Sequence, residues 1–99
     1  MNAIEKNKSK LIILCKKHKV NSLYAFGSVL TSNFKKDSDI DLLVTFNKVN
    51  LNDYADNYFN FLFSLEDLFK RKVDLVTEKY LSNPYFIKSV NKTKQLVYE

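Results

Sequence analysis

The stretch AFGSVLTSNFKKDSDIDLLVTF, Ala25 to Phe46, decides how the rest of the chain is read. It holds the only glycine, Gly27, followed directly by Ser28, and then two aspartates one residue apart, Asp39 and Asp41. Asp39 to Phe46 reads as a β-strand, in which alternate residues share a face. Ile40, Leu42, Val44 and Phe46 then face the core, while Asp39 and Asp41 share the opposite side. Strand rise sets the two aspartate Cα atoms about 6.6 Å apart. Two ionised carboxylates that close repel, so either one takes a proton or a cation sits between them. Asp74 interrupts a second strand-like run, Val73-Asp74-Leu75-Val76. If the two strands are neighbours, three carboxylates meet.

Such hard oxygens on rigid strands suit Mg²⁺, which binds through few carboxylates plus substrate phosphates. A pair of such ions can activate a hydroxyl and stabilise a departing pyrophosphate. A glycine at a strand end lets backbone N–H groups turn toward an anion, and a serine hydroxyl adds a donor. Taken singly, an Asp-x-Asp pair also reads as solvent-facing strand residues, and Gly27 as an ordinary turn. Together, a phosphate cradle beside a carboxylate cluster fits phosphoryl or nucleotidyl transfer, which depends on positioning and charge neutralisation.

Around this stretch the chain alternates helix and strand. Asn2 to Lys19 reads as one helix, with Asn2 and Glu5 as a capping box and Ile4, Leu11, Leu14, Cys15 and His18 along its apolar side. Val20 to Phe26 is a strand that ends at Gly27, and a helical turn fits near Val29 and Leu30. Leu51 to Lys70 keeps an i, i+3, i+4, i+7 rhythm of apolar residues and forms the longest helix. Lys72 to Thr77 is a third strand, Pro84 opens a helix to about Val90, and Gln95 to Tyr98 is an edge strand. The expected fold is α/β (α+β), a small mixed β-sheet with helices packed on it, in one domain spanning residues 1–99.

Ninety-nine residues, 45% hydrophobic and 14% aromatic, suffice for one core and argue against disorder. No run approaches the ~20 apolar residues of a membrane span, and no signal-peptide pattern opens the chain. The lone Cys15 excludes an internal disulfide and suits a reducing, cytoplasmic setting. The net charge of +5 comes from scattered lysines in a chain rich in Asn, Ile, Phe and Tyr, so it reads as compositional bias. No aromatic–basic RNA-binding motif accompanies it, and nucleic acid is not the expected partner.

Gly27-Ser28, ten residues, then Asp39-x-Asp41 resembles the signature of the polymerase-β-like nucleotidyltransferases. The short length, Asp74 within VDLV, and the pattern around Leu81, Pro84 and Leu96-Val97-Tyr98 are similar to the minimal nucleotidyltransferases, the MNT antitoxin group. The resemblance runs from Leu23 to Tyr98 and implies a polymerase-β-like core. It further implies Mg²⁺-dependent transfer of AMP from ATP to a tyrosine hydroxyl of a partner HEPN-type ribonuclease toxin. Gly27 and Ser28 would hold phosphate, Asp39 and Asp41 would bind metal, and Asp74 would be the third carboxylate, orienting metal or helping deprotonate the acceptor. The chain departs from the family's Gly-Ser-Arg-Ala-Arg-Gly continuation, since Val29 and Thr31 stand where arginines are common and Ser32 where the second glycine is. Lys35 or Lys36 are the candidate replacements. The alternative is an antitoxin that neutralises by binding and keeps a vestigial nucleotide site.

His18 and Cys15 are expected to be packing residues. Phe59 and Phe63 lie off the central stripe of their helix and are a candidate docking surface. Asp53, Asp56, Glu66 and Asp67 are expected on a solvated face.

Overall fold

The computed structural model describes residues 2–27, 39–77 and 84–99. Eight elements follow in order: α1 (Asn2–Lys6), α2 (Lys8–Lys17), β1 (Val20–Phe26), β2 (Ile40–Phe46), α3 (Leu51–Phe69), β3 (Val73–Thr77), α4 (Pro84–Thr93) and β4 (Gln95–Tyr98). The expected first helix is two helices. Asn7 interrupts it, donating from its Nδ2 to the Ala3 carbonyl at 2.9 Å and from its backbone N–H to the Ile4 carbonyl at 3.2 Å. An asparagine side chain that bonds locally competes with the helical ladder, which is how the chain breaks there. The helical turn expected near Val29 and Leu30 lies outside the described residues.

The strands form one mixed sheet in the order β3-β2-β1-β4. β1 pairs antiparallel with β2 and with β4, and β2 pairs parallel with β3. This is the mixed sheet with packed helices that the alternation of elements implies.

Helices α1, α2 and α3 cover one face. Ile4, Leu11 and Cys15 meet Phe61, Leu65 and Phe69 over Leu23, Ala25, Ile40, Leu42, Val44, Val73 and Leu75. Burying each Leu, Ile or Phe contributes roughly 1.5–3 kcal/mol, so this layer supplies most of the drive to fold. Leu11 and Cys15, and likewise Phe61, Leu65 and Phe69, recur at four-residue steps, which places them on one side of their helices. His18 follows α2, nearly buried, with its Nδ1 2.8 Å from the Leu14 carbonyl and its ring 5.4 Å from that of Phe61. It is a packing residue, as expected.

The opposite face carries a second, smaller apolar cluster. Val90 of α4 packs on Phe26 and Leu43, with Tyr24 and Val76 beside them. β2 is therefore covered on both sides at Leu43, which explains the leucine doublet Leu42-Leu43 in an otherwise alternating strand. Asp41 and Asp74 project from this second face.

β3 is an edge strand, and α3 shields it. Glu66 Oε2 accepts a bond from the Val73 N–H at 3.2 Å, and the Tyr58 hydroxyl donates to the Leu75 carbonyl. Glu66 is thus half-buried and bonded rather than on the solvated face expected for it. Capping the edge groups of a sheet in this way removes a template for unwanted pairing.

Candidate active site

The site is built at one end of the sheet, where β1 stops and β2 and β3 begin. The Ile40 N–H donates to the Lys72 carbonyl at 3.1 Å and locks the start of the parallel pair. Register then places Asp41 beside Asp74, between the pairs Ile40 with Val73 and Leu42 with Leu75. Neighbouring strands lie ~4.8 Å apart, so the two carboxylates share one patch of surface. On the other side of β2, Phe26 is the register partner of Asp41. Gly27 follows it immediately.

Gly27 has φ +74°, a left-handed conformation that L side chains rarely adopt. A Cβ there would overlap Asp41 Oδ2 and lie 3.3 Å from Asp41 Cγ. Glycine is needed twice over, for its backbone angle and for the room it leaves the carboxylate.

Asp41 is half-buried, whereas Asp39 and Asp74 are exposed. Burial pushes the Asp41 carboxyl above its ordinary range, and the charges of Asp74 and then Asp39 push it further the same way. The strand begins one residue later than expected, so Asp39 precedes β2 rather than belonging to it. The expected approach of Asp74 to Asp41 is present in the strand register.

Among the described residues no three His, Cys, Asp or Glu side chains are already gathered around a point that could hold a metal ion. The donor set nevertheless fits a hard divalent cation: carboxylate oxygens on adjacent strands, with Asp41 held at an electrostatic cost that a cation would relieve. Ser28, Lys35 and Lys36 lie outside the described residues, as do Val29 and Thr31.

Sequence reading did not anticipate the apolar floor behind the carboxylates, made by Phe26, Leu43 and Val90. Phe26 of that cluster is the register partner of Asp41, and Leu43 stands two residues further along β2. Lys94 at the end of α4 lies over the Tyr24 ring, 4.3 Å from its centre, and ties α4 to the same face.

A family model described as a nucleotidyltransferase domain matches residues 8–97. Two sequences from Methanocaldococcus jannaschii, each named "Putative protein adenylyltransferase", are 37% and 40% identical to the chain over 86 residues. Each match covers 87% of this chain and 83% of the relative. Among solved structures, a "putative minimal nucleotidyltransferase" superposes with a TM-score of 0.75 at 27% identity, covering 92% of this chain and 89% of that one. A tri-AMPylated Shewanella oneidensis HEPN toxin in complex with MNT antitoxin matches with a TM-score of 0.66 at 22% identity, over 96% of this chain and 71% of the other. A toxin–antitoxin complex with AMP-PNP gives 0.72 at 23%, over 93% and 73%. The family match over nearly the whole chain and the shared fold agree with the site's geometry: the chain belongs to the nucleotidyltransferase domain family.

Proposed function

We propose that this nucleotidyltransferase moves AMP from ATP onto a hydroxyl, a tyrosine's, of a HEPN-type ribonuclease toxin and so acts as its antitoxin. The observation that carries the reading is the contact of Gly27 with Asp41, with Asp74 beside Asp41 in register. The names of the archaeal relatives support a protein acceptor, and two structural neighbours are toxin–antitoxin complexes, one with AMP-PNP and one with an AMPylated toxin.

Asp39, Asp41 and Asp74 would hold Mg²⁺, which supplies charge neutralisation on the triphosphate and lowers the pKa of the attacking hydroxyl. Gly27 and Ser28 position the phosphates through backbone N–H groups and the serine hydroxyl. The acceptor oxygen attacks the α-phosphorus, the bond to the bridging oxygen breaks, and pyrophosphate leaves. Asp74, exposed at the mouth of the site, takes the acceptor proton.

The test combines purified protein, its HEPN-type partner, Mg²⁺ and ATP labelled at the α-phosphate. Covalent label on the partner, lost with Asp41→Asn, is the expected result. A second reading rests on Val29 and Thr31 standing in place of the arginines common after the serine, which weakens the grip on triphosphate. Neutralisation that survives both Asp39→Asn and Asp41→Asn, with no label transferred, would establish that occluding antitoxin instead.

A further inference from the structure

The end of the sheet that carries Gly27 and Asp41 also holds a cation. Gln95 opens β4 as the register partner of Ala25. One step further along that antiparallel pair sets Lys94 level with Phe26. Phe26 is the partner of Asp41, which in turn stands beside Asp74. Lys94, Phe26, Asp41 and Asp74 thus follow one another in a single row across the sheet. Neighbouring strands lie ~4.8 Å apart, so the Lys94 and Asp41 backbones are separated by about 10 Å, and Gly27 adjoins the residue between them.

The helix before β4 fixes which way Lys94 faces. Its backbone N–H donates to the Val90 carbonyl at 2.7 Å, closing the last turn of α4. Residues four apart lie on one side of a helix, so Lys94 shares the side of Val90, which packs on Phe26 and Leu43. Lys88 and Lys92, each two residues from Val90, are exposed on the opposite side. The Lys94 ammonium rests 4.3 Å from the centre of the Tyr24 ring, on the face from which Asp41 and Asp74 project. A cation over a tyrosine ring is loosely held compared with one bonded to a phosphate. The ring therefore keeps the ammonium on this face, and its flexible four-carbon stem lets it leave for a stronger acceptor.

A nucleoside triphosphate at Gly27 brings several negative charges next to Asp39, Asp41 and Asp74. Metal ions answer part of that charge, and cations of the chain answer the rest. The run from Gly27 to Phe34 supplies no Lys or Arg. Arg71 and Lys72 precede β3, two strands from Gly27 and beyond Asp41. Lys94 is one strand from Gly27, on the side away from the carboxylates. The α-phosphate must sit at the metal, where the acceptor attacks, so the β- and γ-phosphates are the ones left for a cation elsewhere in the row.

We propose that Lys94 is a nucleotide-binding residue whose ammonium moves from the Tyr24 ring to the β- and γ-phosphates of a triphosphate seated at Gly27. The inference rests on the reading of this site as the centre of nucleotidyl transfer and adds a residue that holds its substrate.

The test measures, by calorimetry, binding of a nonhydrolysable ATP analogue and of AMP to the full chain with Mg²⁺. Lys94→Gln is expected to weaken the analogue at least about tenfold, as for loss of a hydrogen bond to a charged group, and AMP by less than about threefold. Lys94→Arg should restore the affinity, and Lys92→Gln should change neither ligand. Tyr24→Leu, which removes the ring and keeps the cation, should not weaken the analogue. Equal losses for both ligands, or a loss in Tyr24→Leu matching that in Lys94→Gln, would make Lys94 a residue that merely pins α4 and overturn the proposal. Unchanged affinity in Lys94→Gln, with the parent chain preferring the analogue to AMP, would overturn the role of the lysine and leave the nucleotide site standing. A parent chain that binds neither ligand would overturn the reading of the site together with the proposal.

Discussion

A side chain at Gly27 would occupy the space that the Asp41 carboxylate fills, since its Cβ would lie 3.3 Å from Asp41 Cγ and overlap Oδ2. The one residue with no side chain and the most buried of the three aspartates are thus fitted to each other across β1 and β2. In the proposed function, this fit would couple phosphate binding at Gly27 to the carboxylates of Asp41 and Asp74.

Gly27→Ala tests that coupling. Left-handed backbone costs a non-glycine residue roughly 1–2 kcal/mol, and displacement of Asp41 adds to it. The variant should unfold at lower denaturant with an unchanged slope, and its transfer rate should fall by more than the stability loss accounts for. Parent-like activity would show that the contact is incidental.

Asp41→Asn should separate stability from activity. Because the folded-state pKa of Asp41 is raised, the ionised carboxylate disfavours the fold, and this cost is present above the folded pKa. It is relieved as pH falls through that value toward the ordinary one. At pH 7 the variant should therefore melt no lower than the parent and at most a few degrees higher, with the difference shrinking in acid. Transfer should drop at least ~100-fold, as expected when charge-stabilising groups are removed. A parallel loss of fold and activity would assign Asp41 a structural role.

Edge protection of β3 predicts two stability losses. Tyr58→Phe removes the bond to the Leu75 carbonyl and should cost about 1 kcal/mol. Glu66→Ala leaves the Val73 N–H without its carboxylate and should cost about 1–3 kcal/mol. Denaturant melts measure both, and faster aggregation near the midpoint is expected for Glu66→Ala.

Cys15 is fully buried, and burial pushes its thiol up to about 12, with a small opposing effect from Lys8. An unfolded thiol ionises near 9.0, so the unfolded state loses its proton first and stability falls as pH rises from there through about 12. At pH 8 the native thiol should resist alkylation and react only on unfolding. Rapid labelling without unfolding would contradict the packing at α2.

Much of this was legible in the chain. The limits of β1 and β4 coincide with those read from Val20–Phe26 and Gln95–Tyr98, because β-branched and aromatic residues there are bounded by clear breaks. β2, α3 and β3 each differ by one residue at one end, where caps rather than periodicity decide. The break at Asn7 was hidden because the apolar spacing continues across it, and only a side-chain bond reveals it. Leu51 fits the helical stripe yet is exposed, which periodicity at the first residue of a helix does not reveal. The proximity of Asp74 to Asp41 depended on strand order, which no local pattern encodes. Leu43 did carry a signal, a leucine where alternation called for a polar residue, and it marked the second core beneath α4.

The central claim is that Asp41 and Asp74 hold a divalent cation next to Gly27. Mn²⁺ added to the isotope-labelled protein tests it most directly, because the paramagnetic ion broadens nearby amide signals. The account predicts selective broadening at Gly27, Asp41 and Asp74, strengthened by a nonhydrolysable ATP analogue and abolished by Asp41→Asn. Broadening that spares these residues, or persists unchanged in Asp41→Asn, would contradict it.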